Sequence, residues 1–316
     1  MTPSVPVMVL TGFLGAGKTT LLNRILSEEG GRRYAVIVNE FGEIGIDGDL
    51  IVRTEEELFE MSNGCICCSV RGDLVRTLHQ LLARPGAFDC IVIETTGVAH
   101  PGPVIQTFYL DHVLKARVVL DSVTTVVDAA HIALRLADTP AAAEQIVFAD
   151  QIILNKTELV GAAELEAVAA RLRTLNPFAP IHPARRAAVD LRQLLGPRKF
   201  DGEPLLGLRP FAGPAHDECI ISISLTSHTP LDGAKLSAWL EELVAVQGAD
   251  ILRGKGIFDL RGEQRRLVFQ SVHMLLEADF QREWRPEEPR FSRLVFIGRN
   301  LDRFALARGL AACEMA

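Results

Sequence analysis

The stretch GFLGAGKT, Gly12–Thr19, decides the fold. It fits the spacing G-x-x-x-x-G-K-[ST] in full, and it stands between an apolar run that predicts a strand, PVMVLT, and a helical pattern, KTTLLNRILSE. Glycines let backbone N–H groups turn toward phosphate oxygens at a helix N-terminus, which already favours anions. The sequence therefore predicts a phosphate-binding loop (P-loop) that takes a nucleoside triphosphate.

The residues of this loop have separate expected roles. We expect the Lys18 ammonium to reach the β- and γ-phosphates and the Thr19 hydroxyl to take Mg²⁺. The residues expected to contact the nucleotide here are Gly12, Gly15, Ala16, Gly17, Lys18, Thr19 and Thr20.

A second part of the predicted site follows the third strand, in IVIETTG. P-loop proteins need an acidic residue at this strand end to hold the Mg²⁺ shell through water, and Glu94 is the candidate. Gly97 lies where a backbone N–H would sense the γ-phosphate. A core strand with a solvated glutamate at its tip is the alternative. We take Lys18, Thr19 and Glu94 as the candidate catalytic residues.

The stretch ILNKTEL predicts the base preference, because it resembles the N-K-x-D guanine motif with Glu158 where Asp is usual. A carboxylate accepts hydrogen bonds from guanine N1 and N2, whereas adenine N1 is an acceptor and would be repelled. Asn155 and Lys156 are expected to buttress the loop and cover the base. Guanine is favoured over adenine, and the Asp-to-Glu difference leaves the strictness of that selectivity open.

The order of patterns predicts an α/β fold. Short, continuously apolar runs alternate with helical patterns over the first ~190 residues, which is typical of βαβ units and a mostly parallel sheet covered on both faces. Prolines punctuate the segment 177–214. Beyond it, an alternating strand, an amphipathic helix, three further strands and a closing helix predict a small α+β, ferredoxin-like domain. We expect a P-loop domain at 1–185, a linker at 186–217 and a C-terminal domain at 218–316.

Composition narrows the function classes. With 316 residues, 48% hydrophobic content, 23% charged content and a net charge of -7, the chain reads as a globular protein without a basic field for nucleic acid or anionic membrane. No apolar run approaches the ~20 residues of a membrane helix, and nothing resembles a signal peptide. We expect a cytoplasmic protein whose thiols stay reduced.

Three of the six cysteines, Cys65, Cys67 and Cys68, crowd into the stretch NGCICCS. Thiols near a helix N-terminus have a lowered pKa, and three thiolates supply most of a tetrahedral shell for Zn²⁺, Cu(I) or Co²⁺. Spacing alone leaves a redox-sensing thiol or a packed small-residue turn open as well. Glu40 and Glu43, in NEFGEIGID, are candidates for a further ligand or for orienting water, and solvated loop carboxylates are the alternative for both.

The ordered stretches TGFLGAGKTTLLNRIL, NEFGEIGID, NGCICCS, IETTGVAHPGPV, LDSVTTVVDA and NKTEL resemble those of the CobW-type GTPases. The resemblance continues through LRGKGIF, VFQSVH and SRLVFIGRNLD and covers nearly the whole chain. It implies a GTPase domain with a small C-terminal domain, and GTP and Mg²⁺ as cofactors. We expect slow intrinsic turnover, because no arginine finger is identifiable from the sequence.

The same resemblance implies a metallochaperone. It implies that Zn²⁺ (or Co²⁺) is held at Cys65, Cys67 and Cys68 and delivered to a client metalloprotein, and Glu40 is our candidate for the further ligand. No nucleic acid or membrane partner is expected, and the oligomeric state is open, with a homodimer as one alternative. Two rival functions are a P-loop kinase or other NTPase without metal transfer, and a redox-regulated GTP-binding module.

Overall fold

A computed structural model describes residues 4–28, 32–39, 57–61, 69–83, 88–195 and 220–315. The chain divides into two compact units, one of residues 1–171 and 179–198 and the other of residues 172–178 and 199–316. The domain limits at 185 and 218 stay a prediction, because residues 196–219 lie outside the described part.

The first unit is built on a parallel sheet whose described strands follow the order β3-β2-β4-β1-β5-β6-β7. These strands are β1 Val5–Thr11, β2 Tyr34–Asn39, β3 Glu57–Met61, β4 Cys90–Glu94, β5 Val118–Asp128, β6 Gln151–Asn155 and β7 Ile181–Pro183. Every pairing in this sheet is parallel, as the continuous apolar runs predicted.

Helices connect these strands. They are α1 Lys18–Glu28, α2 Ser69–Leu82, α3 Pro101–Leu110, α4 His112–Arg117, α5 Ile132–Asp138, α6 Pro140–Phe148, α7 Ala162–Leu175 and α8 Leu191–Leu194, with a 3₁₀ turn at Thr157–Leu159. The leucines and isoleucine of α1 form a buried stripe against β1, because residues three and four apart share one face of a helix.

The position of β1 determines where the site forms. Its neighbours are β4 on one side and β5 on the other, and the chain order reverses at this point. In open α/β sheets, ligands bind at the carboxyl ends of the strands beside such a reversal. Leu10 pairs with Glu94 of β4 and with Thr124 of β5, so the ends of these three strands meet at one edge.

The second unit is an antiparallel sheet in the order β11-β10-β9-β12-β8, with two helices. Its elements are β8 Ile221–Ser227, α9 Gly233–Gln247, β9 Ile251–Phe258, β10 Arg265–Val272, β11 Leu275–Glu283, β12 Ser292–Gly298 and α10 Arg303–Ala312. Asp232 and Asp302 cap the two helices, each accepting two backbone N–H groups. Phe269 packs between Phe258 and Phe296 in the core, with ring centroids 6.0 and 6.3 Å away.

The predicted class, a mostly parallel P-loop domain followed by a small α+β domain, is confirmed. The β8-α9-β9 unit is split by β12, a feature of ferredoxin-like domains, but four strands in succession separate the two helices, unlike the βαββαβ order. The strand β11 was not predicted. Its stretch LLEADFQRE carries charges and is half-exposed along its length, because it is the outermost strand of the sheet.

Within the described ranges, no helix combines the length and apolar character that a membrane span requires.

Candidate nucleotide site

Three glycines give the P-loop its path between β1 and α1. Gly12, Gly15 and Gly17 have φ of 139°, 73° and 110°, a region that side chains rarely adopt. A Cβ on Gly12 would collide with the Val126 carbonyl of β5, and a Cβ on Gly17 would meet the side-chain amide of Asn155. Close contacts therefore require glycine at positions 12 and 17, and the positive φ favours it at position 15.

Lys18 begins α1, and its side chain turns back over the loop. It is 8% exposed, and its Nζ donates to the Phe13 carbonyl at 3.4 Å. The same carbonyl accepts from the Ala16 N–H at 3.1 Å, which closes the loop into a tight turn. The ammonium thus lies at the concave side of the P-loop, where a phosphate group brings negative charge.

Thr19 and Glu94 come together across the site. The Thr19 hydroxyl donates to Glu94 Oε1 at 3.1 Å, and Glu94 is 5% exposed at the end of β4. A hydroxyl and a carboxylate oxygen are the hard donors that Mg²⁺ prefers. This donor set fits a magnesium ion beside the P-loop.

The segment after β4 lies directly on the P-loop. Thr95 donates from its N–H to the Leu10 carbonyl at 2.9 Å and from its hydroxyl to Thr11 Oγ1 at 2.8 Å. Gly97 approaches the backbone of Leu14 so closely that a Cβ would not fit. The structure therefore brings Glu94 and Gly97 to the P-loop, and their roles toward Mg²⁺ and the γ-phosphate stay predictions.

Asn155, at the end of β6, joins the P-loop to a strained loop after β7. Its Nδ2 donates to the Ala16 carbonyl at 2.9 Å, and its Oδ1 accepts the Ala187 N–H at 2.8 Å. Arg186 and Ala187 are both left-handed, with φ of 48° and 55°. Two adjacent non-glycine residues in this conformation cost free energy, and Asn155 helps to hold them there.

Lys156 is also left-handed, with φ of 61°, and its Nζ donates to Asp128 Oδ2 at 2.7 Å. His131 Nδ1 lies 3.0 Å from the same oxygen. Burial would raise the pKa of Asp128, but the hydrogen bonds from Lys156 and His131 and the Lys156 charge lower it overall. Asp128 thus stays ionised and fixes the Lys156 stem beside the P-loop.

Glu158 lies in the 3₁₀ turn Thr157–Leu159 and is exposed. Thr157 anchors that turn, because its N–H and its hydroxyl both donate to the Ala184 carbonyl, at 3.2 and 3.0 Å. The carboxylate is therefore free of the core and stands on a fixed turn, where it can meet a ligand. Thr20, the last predicted residue of the loop, is exposed on α1.

A cavity of about 230 Å³ adjoins the P-loop on the side of α5 and α6. Its wall includes Phe13, Asp128, Arg135, Gln145 and Lys156. The Arg135 guanidinium lies over the Phe13 ring, 4.9 Å from its centroid. Sequence reasoning missed Asp128, Arg135 and Gln145. Asp128 alone had a usable signal, a carboxylate at the end of a strand next to β1.

The predicted metal ligands Cys65, Cys67, Cys68 and Glu40 lie outside the described residues, as does Glu43. Among the residues that are described, no three His, Cys, Asp or Glu side chains gather closely enough to hold an ion. The described cysteines Cys90 and Cys313 are buried and free. The metal site therefore stays a prediction.

Together, a P-loop at the carboxyl edge of a parallel sheet, the Thr19–Glu94 pair and the anchored Asn155–Glu158 turn define a P-loop nucleotide-binding protein. Residues 6–183 match the CobW/HypB/UreG nucleotide-binding domain, and residues 220–314 match the cobalamin synthesis protein cobW C-terminal domain. The chain belongs to the CobW/HypB/UreG family.

Relatives resemble the chain over nearly its whole length. The zinc chaperone YjiA of Escherichia coli is 39% identical, covering 93% of this chain and 94% of its own. The zinc chaperone CobW of Pseudomonas aeruginosa is 37% identical, covering 97% and 90%. The zinc-regulated GTPase metalloprotein activator 1 of Schizosaccharomyces pombe is 33% identical, covering 95% and 84%.

Two solved structures of YjiA are similar to this chain over nearly its whole length. The crystal structure of Zn(II)-bound YjiA GTPase from E. coli matches with a TM-score of 0.78 and 32% identity, over 99% of this chain and 100% of that one. A Zn(II)-bound triple mutant of YjiA, with alanine in place of one glutamate and two cysteines, matches with a TM-score of 0.77 and 33% identity, over 99% and 100%.

Proposed function

We propose that this protein is a GTP-hydrolysing zinc metallochaperone. It binds Mg²⁺–GTP at the P-loop, carries Zn²⁺ (or Co²⁺) at Cys65, Cys67, Cys68 and Glu40, and delivers the ion to a client metalloprotein. The observation that carries the GTPase part is the Thr19–Glu94 pair beside the P-loop, in a chain whose relatives are named GTPases and zinc chaperones. A homodimer and a cytoplasmic location stay predictions.

The chain's own residues divide the work at the nucleotide. Lys18 and the backbone N–H groups of Gly12–Thr20 bind and orient the phosphates. Thr19 and Glu94 would hold Mg²⁺, which supplies positive charge to the phosphate oxygens when bound. Glu158 accepts hydrogen bonds from guanine, and Lys156 covers the base. Slow turnover is expected without a partner's arginine.

In this proposal, zinc binding at the cysteine site and GTP binding at the P-loop are thermodynamically coupled. Loops that contact the γ-phosphate change their order on hydrolysis, and the predicted ligands lie between β2 and α2. If GTP tightens the grip on zinc, zinc tightens the grip on GTP by the same factor, since coupling is reciprocal. Hydrolysis then releases the ion to the client.

The test compares zinc affinity in the presence of a GTP analogue, GDP and no nucleotide, for reduced full-length protein. A relative that lacks one glutamate and two cysteines is still zinc-bound, so the presence of zinc alone does not identify a site. A chelator competition is therefore needed, with the Cys65, Cys67, Cys68→Ser variant beside a Cys90→Ala control. We expect tight, nucleotide-dependent zinc binding to be lost in the triple variant and kept in the Cys90→Ala control.

Equal zinc affinity in all three nucleotide states would contradict the coupling. Phosphate transfer to an added acceptor, with no effect of the triple variant, would favour a kinase. GTP affinity that follows peroxide and ignores zinc would favour a redox-regulated module.

A further inference from the structure

The turn that follows Glu94 is held on one side by the P-loop. The Thr96 carbonyl accepts the Ala99 N–H at 3.1 Å, which closes a four-residue turn. Gly97, inside this turn, touches the backbone of Leu14. The turn is therefore placed where its N–H groups can meet a phosphate bound at the loop.

On its other side the turn is held by Gln145, a residue of α6 that is 2% exposed. The Gln145 Nε2 lies 3.1 Å from the Gly97 carbonyl and 3.1 Å from the Ala99 carbonyl. Both partners are acceptors, so the amide nitrogen must face them, and its two hydrogens match the two oxygens. The main-chain carbonyl of Gln145 accepts from the Thr125 hydroxyl at 2.7 Å, which fixes this residue to β5.

These bonds orient the N–H groups of the turn. A trans peptide is planar, and its C=O and the following N–H point in opposite directions. Fixing the Gly97 and Ala99 carbonyls toward α6 therefore directs the Val98 and His100 N–H groups away from it. The Thr96 carbonyl, already bonded within the turn, sets the Gly97 N–H in the same way.

The neighbouring residue of α6 makes a second attachment. Glu144, 8% exposed, has its Oε2 2.6 Å from His100 Nδ1, at the residue that precedes α3. Two consecutive residues of α6 thus hold the turn and its exit. The two Gln145 hydrogen bonds hold residues of the turn itself, whereas Glu144 holds the residue that follows it.

We propose that Gln145 is a positioning residue that presets the Thr96–Ala99 turn for the γ-phosphate and so gives the chain its preference for the triphosphate over the diphosphate. This inference rests on the proposed GTPase function. The Gln145 amide nitrogen is bonded to the Gly97 and Ala99 carbonyls, so its effect on the phosphate is exerted through the backbone of the turn.

The chain offers a matched control in Gln151, which is 0% exposed on β6. Its Nε2 also donates to two acceptors, Thr124 Oγ1 at 2.7 Å and the Leu194 carbonyl at 3.3 Å, but neither belongs to the turn. Gln145→Met and Gln151→Met both remove a buried amide donor of similar size. Both variants therefore replace a buried amide by a thioether of similar size, but they release different segments.

The experiment measures dissociation constants for GDP and for a hydrolysis-resistant GTP analogue, together with kcat and KM for GTP. For Gln145→Met, we expect the preference for the analogue over GDP to fall about tenfold or more, since two buried hydrogen bonds are lost, and kcat to fall with it. For Gln151→Met, we expect the wild-type preference and kcat. A Gln145→Met protein with the wild-type preference, or a Gln151→Met protein with the same loss, overturns the inference.

A second measurement uses the wild-type protein and covers the case in which Gln145→Met does not fold. The Ala99 N–H, which is bonded to the Thr96 carbonyl within the turn, should exchange slowly without nucleotide if α6 presets the turn, and exchange as fast as in an unfolded chain overturns the inference. A wild-type protein that neither binds nor hydrolyses GTP would instead refute the proposed function, so the two failures are distinguishable.

Discussion

The Thr19 hydroxyl, in the first turn of α1, and Glu94 Oε1, at the end of β4, are 75 residues apart in sequence and lie 3.1 Å from each other. Neighbouring parallel strands bring them together, because Leu10, just before the P-loop, pairs with Glu94 itself. The pair is thus a product of sheet register, and its oxygens are set before a metal ion arrives.

Replacing the Glu94 carboxylate should strongly reduce Mg²⁺-dependent hydrolysis of GTP. We expect Glu94→Gln to lower kcat for GTP about 100-fold or more, since charge stabilisation by a metal ion is worth several kcal/mol. Steady-state hydrolysis across a Mg²⁺ titration measures this effect. Glu166→Gln, on the exposed face of α7, is the control and should leave kcat unchanged. A Glu94→Gln protein with wild-type kcat would remove Glu94 from the mechanism.

Glu158 should select the base. The carboxylate accepts two hydrogen bonds from guanine, whereas an amide offers one acceptor and one donor, which matches xanthine. We therefore expect Glu158→Gln to weaken GTP binding about 10- to 100-fold, the range for losing a bidentate base contact, and to strengthen XTP binding. Glu158→Asp should keep GTP. The control is Glu164→Gln in the exposed first turn of α7, and unchanged GTP and XTP affinities for Glu158→Gln would exclude the role.

Asn155 should matter to folding as well as to the nucleotide. Asn155→Ala leaves the Ala16 carbonyl and the Ala187 N–H without their partner, and we expect the free energy of unfolding to fall by about 3 kcal/mol. Urea denaturation should show a lower midpoint with an unchanged slope. Thr157→Val is the control, because the Ala184 carbonyl keeps the Thr157 N–H, and it should cost about 1 kcal/mol or less. Equal losses of unfolding free energy in the two variants would mean that Asn155 contributes no more to stability than a single ordinary hydrogen bond.

The part of the site that could be predicted lies in short stretches of consecutive residues. GFLGAGKT carries its own backbone conformation through its glycines, and Glu94 follows from the end of a strand next to β1. The parallel sheet was also predicted correctly, because strands that are covered on both faces have continuously apolar sequences.

Contacts between distant stretches could not be predicted in this way. Gln145 meets Gly97 and Ala99 across 48 and 46 residues, and within PAAAEQIVF it looks like any polar residue of a short helix. The run VTTVVDA predicts a strand from Val123, whereas β5 begins at Val118, because Asp121 and Ser122 interrupt the apolar pattern. Long-range packing, which a local pattern does not encode, decides both cases.

The two described cysteines should be unreactive in the folded protein. Burial raises the pKa of Cys90 to about 12, and burial also raises the pKa of Cys313, so both stay protonated thiols near neutral pH. Alkylation at pH 8 followed by mass spectrometry should label neither until denaturant is added. Labelling of Cys90 as fast as a small-molecule thiol would contradict its burial.

A partly buried carboxylate, that of Glu288, should tie the stability of the C-terminal unit to pH. Glu288 accepts from Arg266 at 3.0 Å and from Arg282 at 2.8 Å, and the Arg266 side chain is 0% exposed. Burial would raise the pKa of Glu288, but the hydrogen bonds from Arg282 and from the Arg285 N–H, with the charges of Arg266 and Arg282, lower it to about 2. We expect Glu288→Gln to cost about 3 kcal/mol of unfolding free energy, because it leaves a buried guanidinium without its charge partner.

The control is Glu263, whose pKa is also lowered to about 2 by the hydrogen bond from Arg265, but whose side chain is 26% exposed against 9% for Glu288 and whose Arg265 partner is 50% exposed. A carboxylate with a lowered pKa adds stability above its unfolded pKa, near 4.5, and this stability is lost as pH falls toward 2. Denaturation across this window should therefore show a steeper loss for the wild type than for Glu288→Gln. Glu263→Gln should follow the wild type closely, since water screens an exposed ion pair and little stability depends on it. A Glu263→Gln curve that matches Glu288→Gln would mean that the pKa, and not the burial of the Arg266 partner, sets the effect.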